Sequence, residues 1–340
     1  MSQLSFFHKY RRLPVFLFLI APLCLGCQRK ADYVKIEGIV WNTLYHITFR
    51  GPSSLRDSVM PVLNEVSHSL SVFEKNSLVS ELNAADSLEV DGHFITVYDE
   101  SLRINRLSHG LFDPTVGPLI EAWGFGPGHT PNADTLAVDS VMNFVGIQKT
   151  SRAGSLVIKE DARTRFNFSA IAKGYGCDAV AGMFERNGVS DFMIEIGGEI
   201  TLSGKSPSGG DWKIAVDAPV EGAAPGEQTM MVLQLTDAGI ATSGNYRNFR
   251  KEDGNTVAHT ISPVTGRPFI SKILSATVIA PSCMEADGIA TACMAGTPAQ
   301  ARQLLENCKV EALLIFSDSI YFTPGFRKYV ASSGSSSGEP

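Results

Sequence analysis

The sequence predicts an α+β fold in which mixed or mostly antiparallel sheets are flanked by helices. Three observations carry it: strand-like stretches outnumber candidate crossover helices, many of them are joined by tight turns, and no internal repeat divides the chain. At the amino terminus, Lys9, Arg11 and Arg12 precede an apolar run from Leu13 to Gly26, too short to span a bilayer, that ends in Leu25-Gly26-Cys27. Residues 1–27 therefore read as a lipoprotein signal with Cys27 as the acylated first residue, residues 28–330 have the length of one large domain or two small ones, and the Ser/Gly-rich 331–340 reads as a flexible tail. Removing the three leader cations from 29 leaves 26 Lys and Arg against 35 Asp and Glu, a net charge of −9 that argues against nucleic-acid binding. Of the remaining cysteines, none is spaced as a CxxC pair.

Strands are expected over Asp32 to Val40 and Val40 to Phe49, then an amphipathic helix over Ser54 to Leu70 with Val59, Val62, Leu63, Val66 and Leu70 on one face. Phe73 to Asp86 reads as a loop, and Ile95 to Ser108 as a helix capped by Gly110. Leu111 to Gly128 is loop chemistry around a short helical segment. Its Phe112, Trp123 and Phe125 could wall a flat aromatic ligand or simply pin an irregular loop. After a polar connector, Leu156 to Ile158 and Arg165 to Phe168 are expected to pair as a hairpin. Asp191 to Ile200 is a strand whose Gly197-Gly198 marks a bulge or a close backbone approach. Further strands follow at Trp212 to Asp217 and Met230 to Leu235, with a hairpin turned at Asp253-Gly254 between Ile240 to Phe249 and Thr256 to Ile261. Leu274 to Ala280 leads into a capping box at Ser282 and Glu285 that starts a helix ended by Gly296. Thr297 caps the next, and Val310 to Phe316 with Ile320 to Phe322 forms a last hairpin.

The organising stretch is Phe166 to Phe184, a strand-like start running into a helical pattern that Gly188 ends. Lys173 falls in the first helical turn, where the backbone dipole disfavours a cation, and Gly174 and Gly176 sit where glycine costs about 1 kcal/mol against alanine. Bare backbone and an ammonium at a helix start suit an anion such as a nucleotide's phosphates; the alternative is a surface lysine beside helix-packing glycines.

Asp287 and Thr291 are four apart in the Ser282 helix, so their oxygens share a face and make a small hard-cation site of the kind Mg²⁺ takes, or else an acid favoured near a helix start beside a packed threonine. His259 alternates with Val257 and Ile261 on an apolar strand face, as a satisfied core histidine would. As a general base it would have to reach a hydroxyl attacking phosphorus. Ser243-Gly244-Asn245-Tyr246 offers hydroxyl and amide donors in a turn. Gly174-Tyr175-Gly176-Cys177-Asp178-Ala179 also matches G-x-G-x-x-A, with Glu195 near the spacing of a ribose-binding acid. A dinucleotide-binding Rossmann unit thus competes, although no clear parallel βαβ surrounds it and an exported chain is separated from nicotinamide pools.

Taken together, eight pieces in order resemble the ApbE family of FAD:protein FMN transferases over essentially the whole mature chain: Thr43-Leu44-Tyr45, Ser77 to Asn83, FDPTVGPLIEAWGFGP from Phe112, AIAKGYGCD from Ala170, EIGGE from Glu195, ATSGNY from Ala241, HTISPVTGRP from His259 and ADGIAT from Ala286. The resemblance implies transfer of the FMN half of FAD to a threonine or serine of an acceptor protein, with Mg²⁺ bound and AMP leaving. It implies that Asp287, Thr291 and the carbonyl of Ala170 hold the metal, that Lys173 meets the FAD phosphates, and that His259 takes the acceptor's proton. Phe73, Phe112, Asp113, Thr115 and Ile261 would line the flavin and adenine pockets, with Ser243 among the ligand-binding residues.

The sequence departs from the family where Trp41-Asn42 replaces a methionine-glycine in the flavin pocket, and where Asn167 replaces an aspartate near the metal or adenosine; both positions stay with the cofactor-binding set. The chain lacks an acceptor motif of the type D-G-x-[ST]-G-A-[ST], so the acceptor is expected to be another protein, a membrane redox subunit, met by an enzyme lipid-anchored in a bacterial periplasm. Two other activities fit the same residues: an Mg²⁺-dependent FAD pyrophosphatase and a non-catalytic periplasmic FAD-binding lipoprotein.

Overall fold

In the computed structural model, the residues described are 32–124, 135–220, 222, 226–244, 249–252, 255–258 and 260–331. Cys27, Phe125, Asp253-Gly254, His259 and the 332–340 tail lie outside them.

The chain opens with strands β1 (Tyr33–Val40) and β2 (Thr43–Arg50), an antiparallel hairpin where the sequence suggested two strands meeting at Val40. Its turn is Trp41-Asn42, both at positive φ, the conformation a tight hairpin demands and one a tryptophan rarely adopts. Helix α1 (Arg56–Leu70) buries Val59, Leu63, Val66 and Leu70 as expected, and α2 (Leu78–Asn83) forms inside the expected loop because Ser77 caps it, accepting from the Ser80 amide. After β3 (Ser87–Glu89), α3 (Gly92–Leu107) starts three residues earlier than the apolar pattern indicated, because Asp91 accepts from the Phe94 amide at 2.8 Å. Short helices α4 (Gly117–Ala122) and α5 (Thr135–Val141) precede β4 (Thr150–Ala153) and β5 (Leu156–Lys159). Strand β5 pairs with β4 and β3, not with residues 165–168. The polar, exposed β4 carries no apolar alternation by which sequence could find it.

Helix α6 (Ala172–Arg186) is followed by β6 (Phe192–Ile196) and β7 (Glu199–Ser203), which form a hairpin turned at Gly197-Gly198 rather than one bulged strand. Both glycines have positive φ. Strands β8 (Trp212–Asp217) and β9 (Thr229–Leu235) make a two-stranded ribbon. Because β10 (Ala238–Gly244) joins the main sheet instead, the expected hairpin, β11 (Phe249–Glu252) paired with β12 (Asn255–Ala258), has a shorter first arm than Ile240 to Phe249. The chain ends with β13 (Ile273–Ala280), α7 (Cys283–Met294), α8 (Pro298–Cys308), β14 (Glu311–Phe316) and β15 (Ile320–Phe322).

One eight-stranded sheet, in the order β1-β2-β6-β7-β10-β13-β14-β15 and antiparallel at each junction, organises the rest. Side chains alternate across it. Ile240 and Ile279 join Trp212 and Leu233 in a core under the β8–β9 ribbon, whereas Ala241, Ala276 and Val278 face the helices. The small residues on the helical side let α7 pack close: a side chain on Gly239 would run into the backbone of Ser282 and Cys283. Helix α7 is accordingly buried nearly all round, as a central helix must be. The capping box foreseen at its start is half formed. Ser282 accepts from the Glu285 amide, but the Glu285 carboxylate turns to Arg103 at 2.6 Å.

Candidate active site

The site begins where α6 crosses α7. A Cβ on Gly174 would sit 2.8 Å from the Asp287 Cβ and overlap the Cys283 carbonyl, so only glycine permits the crossing. With that side chain missing, the Gly174 amide donates to Asp287 Oδ2 at 3.1 Å. Gly176, two residues on and so on the opposite side of the helix, accommodates the Trp41 indole, which would lie 2.5 Å from an added Cβ. The glycines of this stretch therefore serve close packing, not a bare surface offered to an anion. Lys173, beside them, does face a cavity.

Lys173 Nζ lies 2.7 Å from Glu199 Oε1 and 3.9 Å from Asp287 Oδ2; its side chain is about a third exposed while both carboxylates are buried. Burial works against the Lys173 charge, but Asp287 and Glu199 outweigh it and hold the ammonium above its ordinary pKa. Burial pushes both carboxyls up and Asp287 adds to the rise at Glu199, while Lys173 pulls both down. Two acids whose ionisation is disfavoured by burial, with one ammonium between them, form a site where a bound cation would favour the charged carboxylates.

Oxygen donors gather beside it. Thr291, one helical turn after Asp287, places Oγ1 3.4 Å from the Ala170 carbonyl and 3.4 Å from Ser243 Oγ. Ala170 lies in the turn entering α6, and Ser243 near the end of β10. Among the described residues no three His, Cys, Asp or Glu side chains cluster as a metal site. This set differs in kind, one carboxylate, one or two hydroxyls and a carbonyl, which is the hard-oxygen chemistry that suits Mg²⁺. These donors open into a cavity of about 590 Å³, within the ~300–1,000 Å³ range of small-molecule sites.

The expected residues divide. Phe112, Asp113, Asn167, Ala170, Lys173, Ser243, Ile261, Asp287 and Thr291 line this cavity. Trp41, Phe73 and Thr115 do not: Trp41 packs behind α6, and Phe73 points outward at 72% exposure from a turn that Ser77 ties through bonds to the Ser71 and Glu74 carbonyls. Thr115 is fully buried, donating to Asp113 Oδ1 at 2.6 Å and accepting from the Gly146 amide at 2.6 Å. Asp113 is itself saturated, with donors Thr115 N, Asn105 Nδ2 and Ile147 N besides the Thr115 hydroxyl. Burial raises its pKa and these bonds oppose the rise. Trp123 follows the plainer of its two readings, its Nε1 held by the Gly266 carbonyl among Leu119, Val138 and Ile261.

Glu199 was not singled out in the sequence; reading Gly197-Gly198 as a hairpin turn would have marked it as the first residue of a new strand beside the turn. Asp178 was missed too. It accepts from the Cys283 and Met284 amides at 3.0 and 2.8 Å and so anchors the start of α7 to α6. The Rossmann alternative fails here. Its glycines lie inside α6, the following β6 runs antiparallel to both neighbours, and Glu195 is occupied by His46 at 2.5 Å and the Gly198 amide at 2.6 Å.

The model of the ApbE family matches residues 41–314. A FAD:protein FMN transferase of Vibrio cholerae is 34% identical over 324 residues, covering 92% of this chain and 94% of the relative. One of Haemophilus influenzae is 32% identical over 284 residues, covering 78% and 81%. Among solved structures, the flavin transferase ApbE from Vibrio cholerae superposes with a TM-score of 0.78 at 30% identity, covering 88% of this chain and 99% of that one. The Pseudomonas stutzeri flavinyl transferase ApbE, in its apo form, gives 0.80 at 27%, covering 88% and 97%. With the antiparallel sheet, the α6–α7 crossing and these matches in agreement, the chain belongs to the ApbE family.

Proposed function

We propose that this protein transfers the FMN half of FAD to a threonine or serine hydroxyl of an acceptor protein. The acceptor oxygen bonds to the FMN phosphorus, the bond from that phosphorus to the AMP oxygen breaks, and AMP leaves. The observation that carries the reading is the convergence of Lys173, Asp287, Thr291 and the Ala170 carbonyl on one cavity from two separate parts of the chain, the start of α6 and the face of α7.

Asp287, Thr291 and the Ala170 carbonyl would hold Mg²⁺, which supplies charge neutralisation at the diphosphate. Lys173 would bind the diphosphate oxygens, held in place by Glu199. Phe112 and Ile261 offer apolar wall to flat rings, and Asn167 and Ser243 offer polar contacts. His259 would take the acceptor's proton. Phosphoryl transfer of this kind is largely positioning and electrostatics, so few reactive groups are required. The acceptor is proposed to carry a D-G-x-[ST]-G-A-[ST]-like segment in a membrane redox subunit. Acylation at Cys27 would hold the enzyme at a periplasmic membrane surface, which lipid labelling of wild type against Cys27→Ala would test.

The decisive experiment incubates the protein with FAD, Mg²⁺ and a peptide bearing that motif. Flavin attached to the peptide is the expected result. AMP and free FMN with unmodified peptide would instead mean hydrolysis, and intact FAD would mean binding alone; either overturns the transferase reading.

A further inference from the structure

Glu199 opens β7 directly after the Gly197-Gly198 turn and is 5% exposed. Its Oε1 pairs with Lys173, but Oε2 is buried with no hydrogen-bond partner among the described residues. Buried polar atoms are nearly always paired, so an unpaired carboxylate oxygen on a side chain that lines the cavity marks a place where a ligand can donate once it displaces what covers that oxygen. The neighbourhood restricts the donor. A second divalent ion there would be repelled by the Lys173 ammonium, and a phosphate oxygen by Glu199 whenever the Lys173 pair holds that carboxyl ionised. A neutral donor remains. Lys173 is where the diphosphate binds, and the groups flanking a dinucleotide's diphosphate are sugars. The adjoining turn leaves room for one: a Cβ added to Gly198 would meet nothing within 4 Å.

We propose that Glu199 Oε2 accepts a hydrogen bond from a sugar hydroxyl flanking the diphosphate of the bound dinucleotide, on either its ribityl or its ribose side. This rests on the flavin-dinucleotide reading above and adds a binding residue to it. Glu199 thereby distinguishes a diphosphate carrying a sugar from a bare one, while its other oxygen keeps Lys173 aimed into the cavity.

Calorimetric titration of the full chain with Mg²⁺ and, in turn, FAD, FMN, ADP and pyrophosphate tests this in wild type, Glu199→Gln and Glu199→Asp. Glutamine keeps the shape but loses the charge; aspartate keeps the charge and withdraws the oxygen. Both variants are expected to bind FAD about tenfold more weakly, the scale of one charge-assisted hydrogen bond, while pyrophosphate, which reaches Lys173 but has no sugar, changes less than about threefold. A matching loss for FMN places the hydroxyl on the ribityl chain, and one for ADP places it on the ribose. Wild-type affinity for FAD in folded Glu199→Gln and Glu199→Asp overturns the proposal alone, as does an equal loss for pyrophosphate, which would mean that Glu199 acts only through Lys173. A wild-type chain that binds no FAD overturns the flavin reading as well.

Discussion

Two buried aspartates face the same cavity and are built for opposite purposes. Asp113, in the loop before α4, is 8% exposed and accepts four hydrogen bonds, from Thr115, Asn105 and Ile147. Asp287, on α7, is 2% exposed and receives the Gly174 amide at 3.1 Å, with Lys173 a further 3.9 Å away and shared with Glu199. A carboxylate whose lone pairs are filled by fixed backbone and side-chain donors is a structural pin, and a new ligand could gain little from it. One that is buried with few donors carries charge the protein has not neutralised, which is the state of a group meant for a cation. The contrast teaches that burial of an acid does not by itself identify a site; the number of donors already spent on it does.

Asp287→Asn should separate the two most sharply, lowering Mg²⁺-dependent turnover by on the order of 10³-fold, as loss of a central electrostatic group does, while leaving the melting temperature near wild type. Retained turnover would remove Asp287 from the metal site. Asp113→Ala should show the inverse, because it strands buried donors at a cost of about 3 kcal/mol or more, read as a fall in Tm of roughly 5–10 °C for a domain of this size. If Asp287→Asn melts as low as Asp113→Ala, the division between ligand and pin is wrong.

Gly174→Ala tests the crossing that presents Asp287. The added methyl overlaps the Cys283 carbonyl, so stability should fall by ~1–3 kcal/mol and the apparent Mg²⁺ affinity should weaken with it. Unchanged metal titration would mean that α7 holds Asp287 in place without α6. The smallest effect is expected at Phe73→Ala, which removes an outward-pointing ring and should alter the KM for FAD less than about twofold. A larger rise in KM would show that the ring turns inward when ligand binds.

Legibility of the fold followed how strongly each segment advertises its burial. Helices α1, α7 and α8 and the β14–β15 hairpin could be read because apolar spacing, Ser282, Thr297 and tight turns are local signals. The β1–β2 turn was missed because Trp41 takes a positive φ that tryptophan rarely adopts, while its ring packs on Gly176, a contact between residues far apart in sequence. The pairing of β5 was missed because β4 is exposed and polar on an edge, where pattern says little. The same holds in the site. Lys173, Asp287 and Thr291 stood out through their helix positions, whereas Glu199 and Asn105 gained meaning only from the partners folding brought to them.

The amino-acid order by itself determined the α+β class, the helices α1, α7 and α8, the β14–β15 hairpin, that glycines must interrupt α6, and that an acid and a hydroxyl share one face of α7, since propensity, capping and periodicity act over a few residues. Tertiary structure alone decided that the Gly174 notch admits α7, that Glu199 and Asp287 compete for one ammonium, and that Asp113 is filled while Glu199 keeps an oxygen free. Those outcomes depend on distances between groups up to 114 positions apart, and charge, hydrogen bonding and steric fit are settled by proximity in space.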